Sequence, residues 1–327
     1  MKNKKILITG GAGYIGSHTA KELRLAGYEP YVIDNFSTGH EWAIKWGDYN
    51  RVDLLEKEAV TNVLKKIKPI AIIHFAASSL VSESFKNPMA YFHNNVKGTL
   101  NLLDAMRGAG IDKIIFSSSC AIYGIPNECP ISDNHKINPV SPYGETKYII
   151  EKMLKWLAEA DNLKYVSLRY FNAAGADPDK ELGEAHKFET HLIPLAIGAA
   201  LGKRKSLDIF GTDYPTKDGT AVRDYVHVKD LAIAHLNALE YLLEGGECHN
   251  INLGTGIGYS VREIVEEVNK ISNGRVVFYE KDRRVGDPPI LVADYKNAKT
   301  ILNWSPIYSE LNYIIKTAFE WEKCNKL

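Results

Sequence analysis

Lys5-Ile6-Leu7-Ile8-Thr9-Gly10-Gly11-Ala12-Gly13-Tyr14-Ile15-Gly16 is the stretch that decides the fold. The short apolar run reads as a strand buried on both faces, and Ile15 to Ala26 carries the period of an amphipathic helix. Between them stand glycines, which lack a Cβ. The turn can therefore reach positive φ, let the backbone approach a pyrophosphate, and aim the free N–H groups of a helix start at the anion. A glycine turn that binds nothing is the plain alternative, but the order strand, turn, helix favours a dinucleotide site. A second strand, Glu29 to Asp34, ends on a carboxylate followed by Asn35. Asp34 at that place accepts both adenosine ribose hydroxyls and repels a 2′-phosphate, so NAD is expected over NADP. Asp53 is open to two readings, a contact to the adenine amine or a simple helix N-cap.

Outward from this turn, Ala71 to Ala77, Lys113 to Ser119 and Tyr165 to Asn172 read as further buried strands. Glu56 to Ile67, Met89 to Gly108 and Ser141 to Ala160 read as the helices between them. Parallel strands need long crossovers, which pack as helices, so the alternation predicts an α/β fold with a doubly wound parallel sheet of Rossmann type. The pattern breaks after Ala173 into Gly, Asp and Pro. This places an NAD-binding domain at 1–175 and a smaller C-terminal α/β substrate domain at 176–327, with some segments returning to the first. A length of 327 residues accommodates two domains.

Composition excludes several classes of function. With 40 basic and 40 acidic residues the net charge is zero, which leaves no long-range field to draw nucleic acid or an anionic membrane. Anionic ligands must meet local positive groups instead. Cys120, Cys129, Cys248 and Cys324 are widely spaced, with no CxxC pair and no histidine at zinc spacing, so neither disulfides nor a metal site is expected. The basic start Met1-Lys2-Asn3-Lys4-Lys5 precedes an apolar run too short for a signal or a membrane span, and a soluble cytoplasmic protein is expected.

Tyr143 and Lys147 lie four apart on a helix that Ser141-Pro142 opens, so their side chains leave one face about one turn apart. An ammonium nearby favours the tyrosinate, which a phenol of ordinary pKa needs to act as a base near neutrality. Ser119 closes the strand Lys113 to Ser119, at the carboxyl edge where reactive groups gather in parallel sheets. Each feature alone is usually a surface pair or a turn. Together, behind a dinucleotide turn, they form a catalytic set. Arg223 and Arg284 can each pair bidentately with a diphosphate, although such arginines are more often surface ion pairs.

Gly10 to Gly16, His74-Phe75-Ala76-Ala77, Ser117-Ser118-Ser119, Tyr143-x-x-x-Lys147 and Tyr170-Phe171-Asn172 together resemble the extended short-chain dehydrogenase/reductase family. Thr190-His191-Leu192-Ile193-Pro194, the run Gly219 to Ala232 and Arg283-Arg284-Val285-Gly286-Asp287 are similar to its branch that inverts C4 of UDP-sugars, and the likeness covers nearly the whole chain. The resemblance implies a tightly held NAD contacted by Gly10, Gly13, Tyr14, Ile15, Gly16, Asp34, Asn35, Phe36, Ser37, Thr38, Asp53, Leu54, Phe75, Ala76, Ala77, Asn94, Ser117, Tyr143, Lys147 and Phe171. It implies catalysis by Ser119, Tyr143 and Lys147, with the tyrosine taking the 4-hydroxyl proton and hydride passing to NAD and back to the other face. A UDP-glucose or UDP-galactose substrate would meet Ser119, Tyr143, Asn172, His191, Leu192, Phe210, Arg223, Tyr225, Arg284, Asp287 and Leu291.

The chain departs from the family where many members carry asparagine and it has His191, which is open to two readings, a donor to the sugar phosphate or a buried core histidine; where a lysine is replaced within Ser78-Ser79; and at Leu291, the position that gates N-acetylated sugars. A homodimer through the helices near Met89 to Gly108 and Ser141 to Ala160 is also implied. Rival readings are a 4-epimerase of UDP-N-acetylhexosamine or UDP-pentose, a nucleotide-sugar dehydratase, and a non-catalytic NAD-binding protein. Cys120-Ala121 after Ser119, where dehydratases carry an acid pair, argues against dehydration, and retention of both Tyr143 and Lys147 argues against a silent scaffold.

Overall fold

A computed structural model describes residues 4–284 and 286–324; Met1 to Asn3 of the basic start and Val285 of the late arginine motif lie outside the described residues. Seven parallel strands form the main sheet, in the order His249–Leu253, Lys164–Tyr170, Lys113–Ser119, Ala71–His74, Lys5–Thr9, Glu29–Asp34, Asp48–Arg51. The chain starts in the middle, runs to one edge, then crosses back to the other side of Lys5–Thr9. The switch point between Lys5–Thr9 and Ala71–His74 is where a sheet of this kind opens a crevice, and the glycine turn lies above it.

Alternation along the strands covers both faces. Ile6, Ile8, Ile73, Ile115 and Val166 pack on one side with Leu23, Leu231 and Leu239 from the helices Tyr14–Leu25 and Val228–Leu243. Leu7, Ile72, Ile114 and Phe116 pack on the other with Leu64, Leu102 and Leu154 from Lys57–Ile67, Gly98–Ala109 and Pro142–Asp161. A separate core joins the helices Leu192–Ala200, Val261–Ser272 and Leu311–Cys324 to the strand Leu207–Phe210 through Ile197, Ile209, Ile264 and Phe319. The helix Val228–Leu243 and the strand His249–Leu253 return from the second half of the chain to the first sheet.

Three expected boundaries move. The strand expected over Ala71 to Ala77 stops at His74, because the N–H groups of Phe75 and Ala76 both turn to Thr9 O. The strand expected over Tyr165 to Asn172 is Lys164–Tyr170, and Asn172–Ala174 leaves the main sheet to pair in parallel with Tyr225–His227. The helix expected over Met89 to Gly108 runs as Pro88–Tyr91, a widened π turn Phe92–Lys97, and Gly98–Ala109. The π turn buries Asn95, whose amide donates to Ser78 O and Thr146 Oγ1, both at 3.0 Å, while its carbonyl accepts Ser78 N at 2.8 Å.

Beneath the sheet's carboxyl edge lies a buried ion pair, Arg169 Nη2 to Glu151 Oε2 at 2.7 Å, with Ser118 Oγ donating to Glu151 Oε1 at 2.6 Å. Removing one partner of such a pair costs about 3–5 kcal/mol, because the other charge is left buried alone. Among the described residues no helix is long and apolar enough to cross a membrane.

Candidate active site

The glycine turn is built for close approach. Gly10 has φ +71°, and a Cβ there would lie 2.6 Å from Ala76 N; a Cβ on Gly16 would lie 2.4 Å from Gly10 O. Neither position tolerates a side chain. Gly13 caps the helix Tyr14–Leu25 without a side-chain acceptor, and the helix's first turn carries no acidic residue, so no side chain of its own caps this end or neutralises its dipole. Asp34, mostly buried, accepts Ala12 N at 3.0 Å and Phe36 N at 2.8 Å. Burial pushes its pKa up and those two N–H groups pull it back down. Asn35 donates to Asp53 Oδ2 at 2.9 Å, and Asp53 Oδ1 accepts Leu55 N at 2.8 Å. Asp53 therefore caps the turn before the helix Lys57–Ile67, whose N-cap is Glu56, and braces Asn35. These groups fit an NAD: an uncapped helix start for the pyrophosphate and a carboxylate for the adenosine ribose.

Leu54 is in the core and its carbonyl accepts Asn101 Nδ2 at 2.9 Å, while Ser37 and Thr38 are exposed. Phe36 adopts φ +58° and lies under the Arg51 guanidinium, 4.7 Å from the ring centre. Tyr14 packs beside Ile15 at the helix start and donates its hydroxyl to Gly175 O at 2.5 Å. Asn94 Nδ2 reaches Ser78 Oγ at 3.2 Å, so the first residue of Ser78-Ser79 is held by the π turn. Phe75, Ala76 and Ala77 form the turn after the strand Ala71–His74. His74 itself, to which the sequence reading assigned no role, bridges Thr9 Oγ1 at 2.6 Å and Thr99 Oγ1 at 2.8 Å, tying the two central strands to the helix behind them. Its burial lowers its pKa to about 3, so it is a neutral hydrogen-bond relay.

Ser119, Tyr143 and Lys147 converge at the carboxyl edge. Ser141 caps the helix Pro142–Asp161 by accepting Gly144 N at 3.1 Å, with Pro142 at its first position, which fixes the helix phase and turns both Tyr143 and Lys147 inward. Lys147 Nζ donates to Ser117 O at 2.6 Å and lies 5.9 Å from the centre of the Tyr143 ring. Ser117 Oγ meets Tyr170 OH at 2.5 Å. Burial pushes the Tyr143 phenol well up, and a hydrogen bond from Ser119 draws it partly back. Burial likewise lowers Lys147 to about 7, opposed by the charge of Glu151 one turn on. The sequence reading credits Lys147 with holding Tyr143 as a base. Here desolvation outweighs that help and drives both groups toward neutrality, so further positive charge is needed to ionise the phenol.

Across from the serine, Arg223 Nη2 bonds Asp287 Oδ1 at 2.5 Å and Pro288 O at 2.8 Å, and Nη1 bonds Val222 O at 2.7 Å. Its charge also lowers the pKa of Cys120, next to Ser119, against the dominant effect of burial, which puts the arginine at this end of the sheet. Arg284 lies over the Phe210 ring with 4.2 Å from guanidinium carbon to ring centre. Asn172 and Tyr225 pair in adjacent short strands, and burial raises the Tyr225 phenol to about 12. Phe171 and Leu291 belong to one buried cluster with Cys120, Ile122 and Ile131, so Leu291 is part of the wall behind Ser119. His191 starts the helix Leu192–Ala200 half-exposed, which removes the buried-core alternative for it, and pairs with Glu184 and Glu189, two carboxylates the sequence reading missed. Only the folded loop brings these together.

Residues 6–254 match the model of the NAD dependent epimerase/dehydratase family. The chain is 50% identical over 321 residues to the UDP-glucose 4-epimerase of Rhizobium meliloti (strain 1021), covering 98% of each. Its fold superposes on the crystal structure of UDP-glucose 4-epimerase from Brucella ovis in complex with NAD with a TM-score of 0.95, at 50% identity and covering 97% of this chain and 98% of that one. The enzyme from Bifidobacterium longum in complex with NAD+ and UDP gives a TM-score of 0.94 at 34% identity, covering 98% of both chains.

Proposed function

As the chain belongs to the NAD dependent epimerase/dehydratase family, we propose that it interconverts UDP-galactose and UDP-glucose by inverting C4 of the hexose. The observation that carries this reading is the inward-facing pair Tyr143 and Lys147 beside Ser119, at the sheet edge next to an uncapped, glycine-bounded helix start. NAD, when bound, supplies the nicotinamide that takes a hydride from C4 and returns it, together with a positive ring charge. Tyr143 then removes the proton of the 4-hydroxyl, and Ser119 hydrogen-bonds the same oxygen while it passes through the ketone. Lys147, anchored on Ser117 O, orients the nicotinamide ribose and contributes charge. The 4-keto sugar must turn over between the two hydride transfers. Tight binding therefore has to come from the part of the substrate that does not turn, and Arg223 and Arg284 supply it at the diphosphate, with Phe210 against the uracil, Asp287 at the uridine ribose, and Asn172, His191, Leu192 and Tyr225 along the substrate's path. Because the hydride is returned, no net redox occurs, and purified protein incubated with UDP-galactose and no added NAD is expected to form UDP-glucose. Absence of product even after NAD is supplied overturns the reading.

The proposal extends to a cytoplasmic enzyme of galactose metabolism, for which four free cysteines are supporting evidence. It extends also to a homodimer. Phe85, Met89, Leu100 and Trp156 are large apolar side chains left 48–67% exposed on the helices before and within 88–109 and on Pro142–Asp161. Light scattering is expected to return twice the chain mass, falling to one chain in Leu100→Glu/Trp156→Glu. A wild-type protein of single-chain mass at micromolar concentration contradicts the dimer.

A further inference from the structure

The loop leading into the helix Leu192–Ala200 carries Glu184-x-His186-x-x-Glu189-x-His191. Folded, it brings one donor atom from each of the four residues to within 4.8 Å of the others. Glu184 Oε1 lies 2.7 Å from His191 Nδ1 and 3.1 Å from His186 Nε2, and Glu189 Oε1 lies 2.9 Å from His191 Nδ1. The two imidazoles stand with ring centres 5.2 Å apart.

Charge is what singles this cluster out. Glu184 is buried, its side chain only 8% exposed, and a buried carboxylate needs a cation. Among the described residues its ion-pair partners, and those of Glu189, are these imidazoles alone, with no lysine or arginine. The nearby acidic group Asp177, Asp179 and Glu181 is different, because the Lys21 ammonium sits 2.8 Å from a carboxylate oxygen of each. That group has a resident cation; the His–Glu cluster is held together by protons between the atoms that would ligate a metal.

We propose that Glu184, His186, Glu189 and His191 form a binding site for one divalent transition-metal ion of the zinc class. Two imidazole nitrogens and two carboxylate oxygens make a four-ligand set of the kind that suits tetrahedral zinc, whereas imidazole donors disfavour calcium and magnesium. Metal–ligand bonds of about 2.0–2.2 Å put tetrahedral ligand atoms roughly 3.3–3.6 Å apart. The present contacts of 2.7–3.1 Å and the outer limit of 4.8 Å lie on either side of that spacing, so small side-chain shifts close the shell. The backbone under the site is already pinned, with Trp321 Nε1 donating to Glu184 O at 3.1 Å and His40 Nε2 2.5 Å from Ala185 O. Glu189 Oε1 is oriented by the N–H groups of Thr190 and His191, each at 2.7 Å. An ion here neutralises both carboxylates and locks the loop that delivers His191 and Leu192. The consequence for substrate binding rests on the function proposed above; the site itself does not. A zinc search by cysteine–histidine spacing passes over this set, because it has no thiol and its four members converge only when the loop folds.

The test uses tag-free full-length protein, stripped with chelator, freed of it, and titrated with Co2+. One ion per chain is expected, with the visible d–d bands of a four-coordinate cobalt centre that one equivalent of Zn2+ abolishes. His186→Ala and Glu189→Gln, at partly exposed positions, are each expected to lose the bands while retaining the wild-type circular dichroism, and Asp179→Asn is expected to keep them. Only the octahedral spectrum of aqueous Co2+, or bands that persist in both of the first two variants or vanish in the third, overturns the proposal. Because the readout is optical, a failed sugar assay leaves it intact, and the reverse.

Discussion

Tyr143→Phe lowers kcat for UDP-galactose conversion by about 10²–10⁴-fold, the usual value of a positioned acid–base group. KM changes little, and bound NAD is retained. The substitution removes one oxygen from a residue only 8% exposed, leaving the ring to fill the same space, so the packing of Pro142–Asp161 persists. Lys147 also keeps its bond to Ser117 O, so the place of its ammonium is undisturbed. What is lost is the phenolic oxygen proposed to take the proton from the secondary alcohol. Steady-state kinetics with nucleotide release on denaturation checks this. A variant within a few-fold of wild-type kcat would remove Tyr143 from the chemistry, and one purified without NAD would show that the substitution acted on binding.

Arg223→Ala acts on the other half of the problem. KM for the UDP-sugar rises about 10- to 100-fold while kcat falls much less, since a charge-assisted hydrogen bond is worth about 1.5–3 kcal/mol and each 1.4 kcal/mol is a factor of ten. Three contacts, to Asp287, Pro288 O and Val222 O, hold the guanidinium before substrate arrives, so little ordering is left to be done on binding. Removing it also strips Asp287 of its ion-pair partner and leaves that carboxylate bare. Arg223→Lys is expected to recover only part of the loss, because a point charge cannot keep the planar set of contacts. Initial rates over a range of UDP-galactose separate the two constants; a fall in kcat at unchanged KM sinks the assignment.

Legibility in the sequence followed the range of the interactions involved. Lys5–Thr9, Glu29–Asp34 and Lys113–Ser119 stand where their apolar runs place them, because strands buried on both faces need a near-continuous apolar centre. Asp48–Arg51 carries Asp-Tyr-Asn-Arg, mostly exposed at the sheet edge, and has no such run to betray it. The place of His249–Leu253 beside Lys164–Tyr170 depends on pairing between residues some eighty positions apart. The site divides in the same way. Ser119, Tyr143 and Lys147 sit on regular elements whose geometry a spacing reveals. The partnership of Arg223 with Asp287, the approach of Arg284 to Phe210 and the meeting of Glu184 with His191 each involve a loop residue, and the course of a loop is encoded by no local pattern. Desolvation of the Tyr143–Lys147 pair was equally invisible, since it is the surroundings rather than the two residues that set it.

The widened turn at Phe92–Lys97 has a further meaning for how this molecule can change over time. Such a turn holds a surplus residue relative to an ordinary helix. Deleting it would restore an even pitch but rotate everything on one side of the gap by about 100° against the other. Tyr91, hydrogen-bonded to Leu80 O, and Asn95, clasping Ser78 and Thr146, could not both keep their grip. Length is therefore frozen at this point, and descendants of the sequence are free to trade side chains along the stretch but not to shorten it.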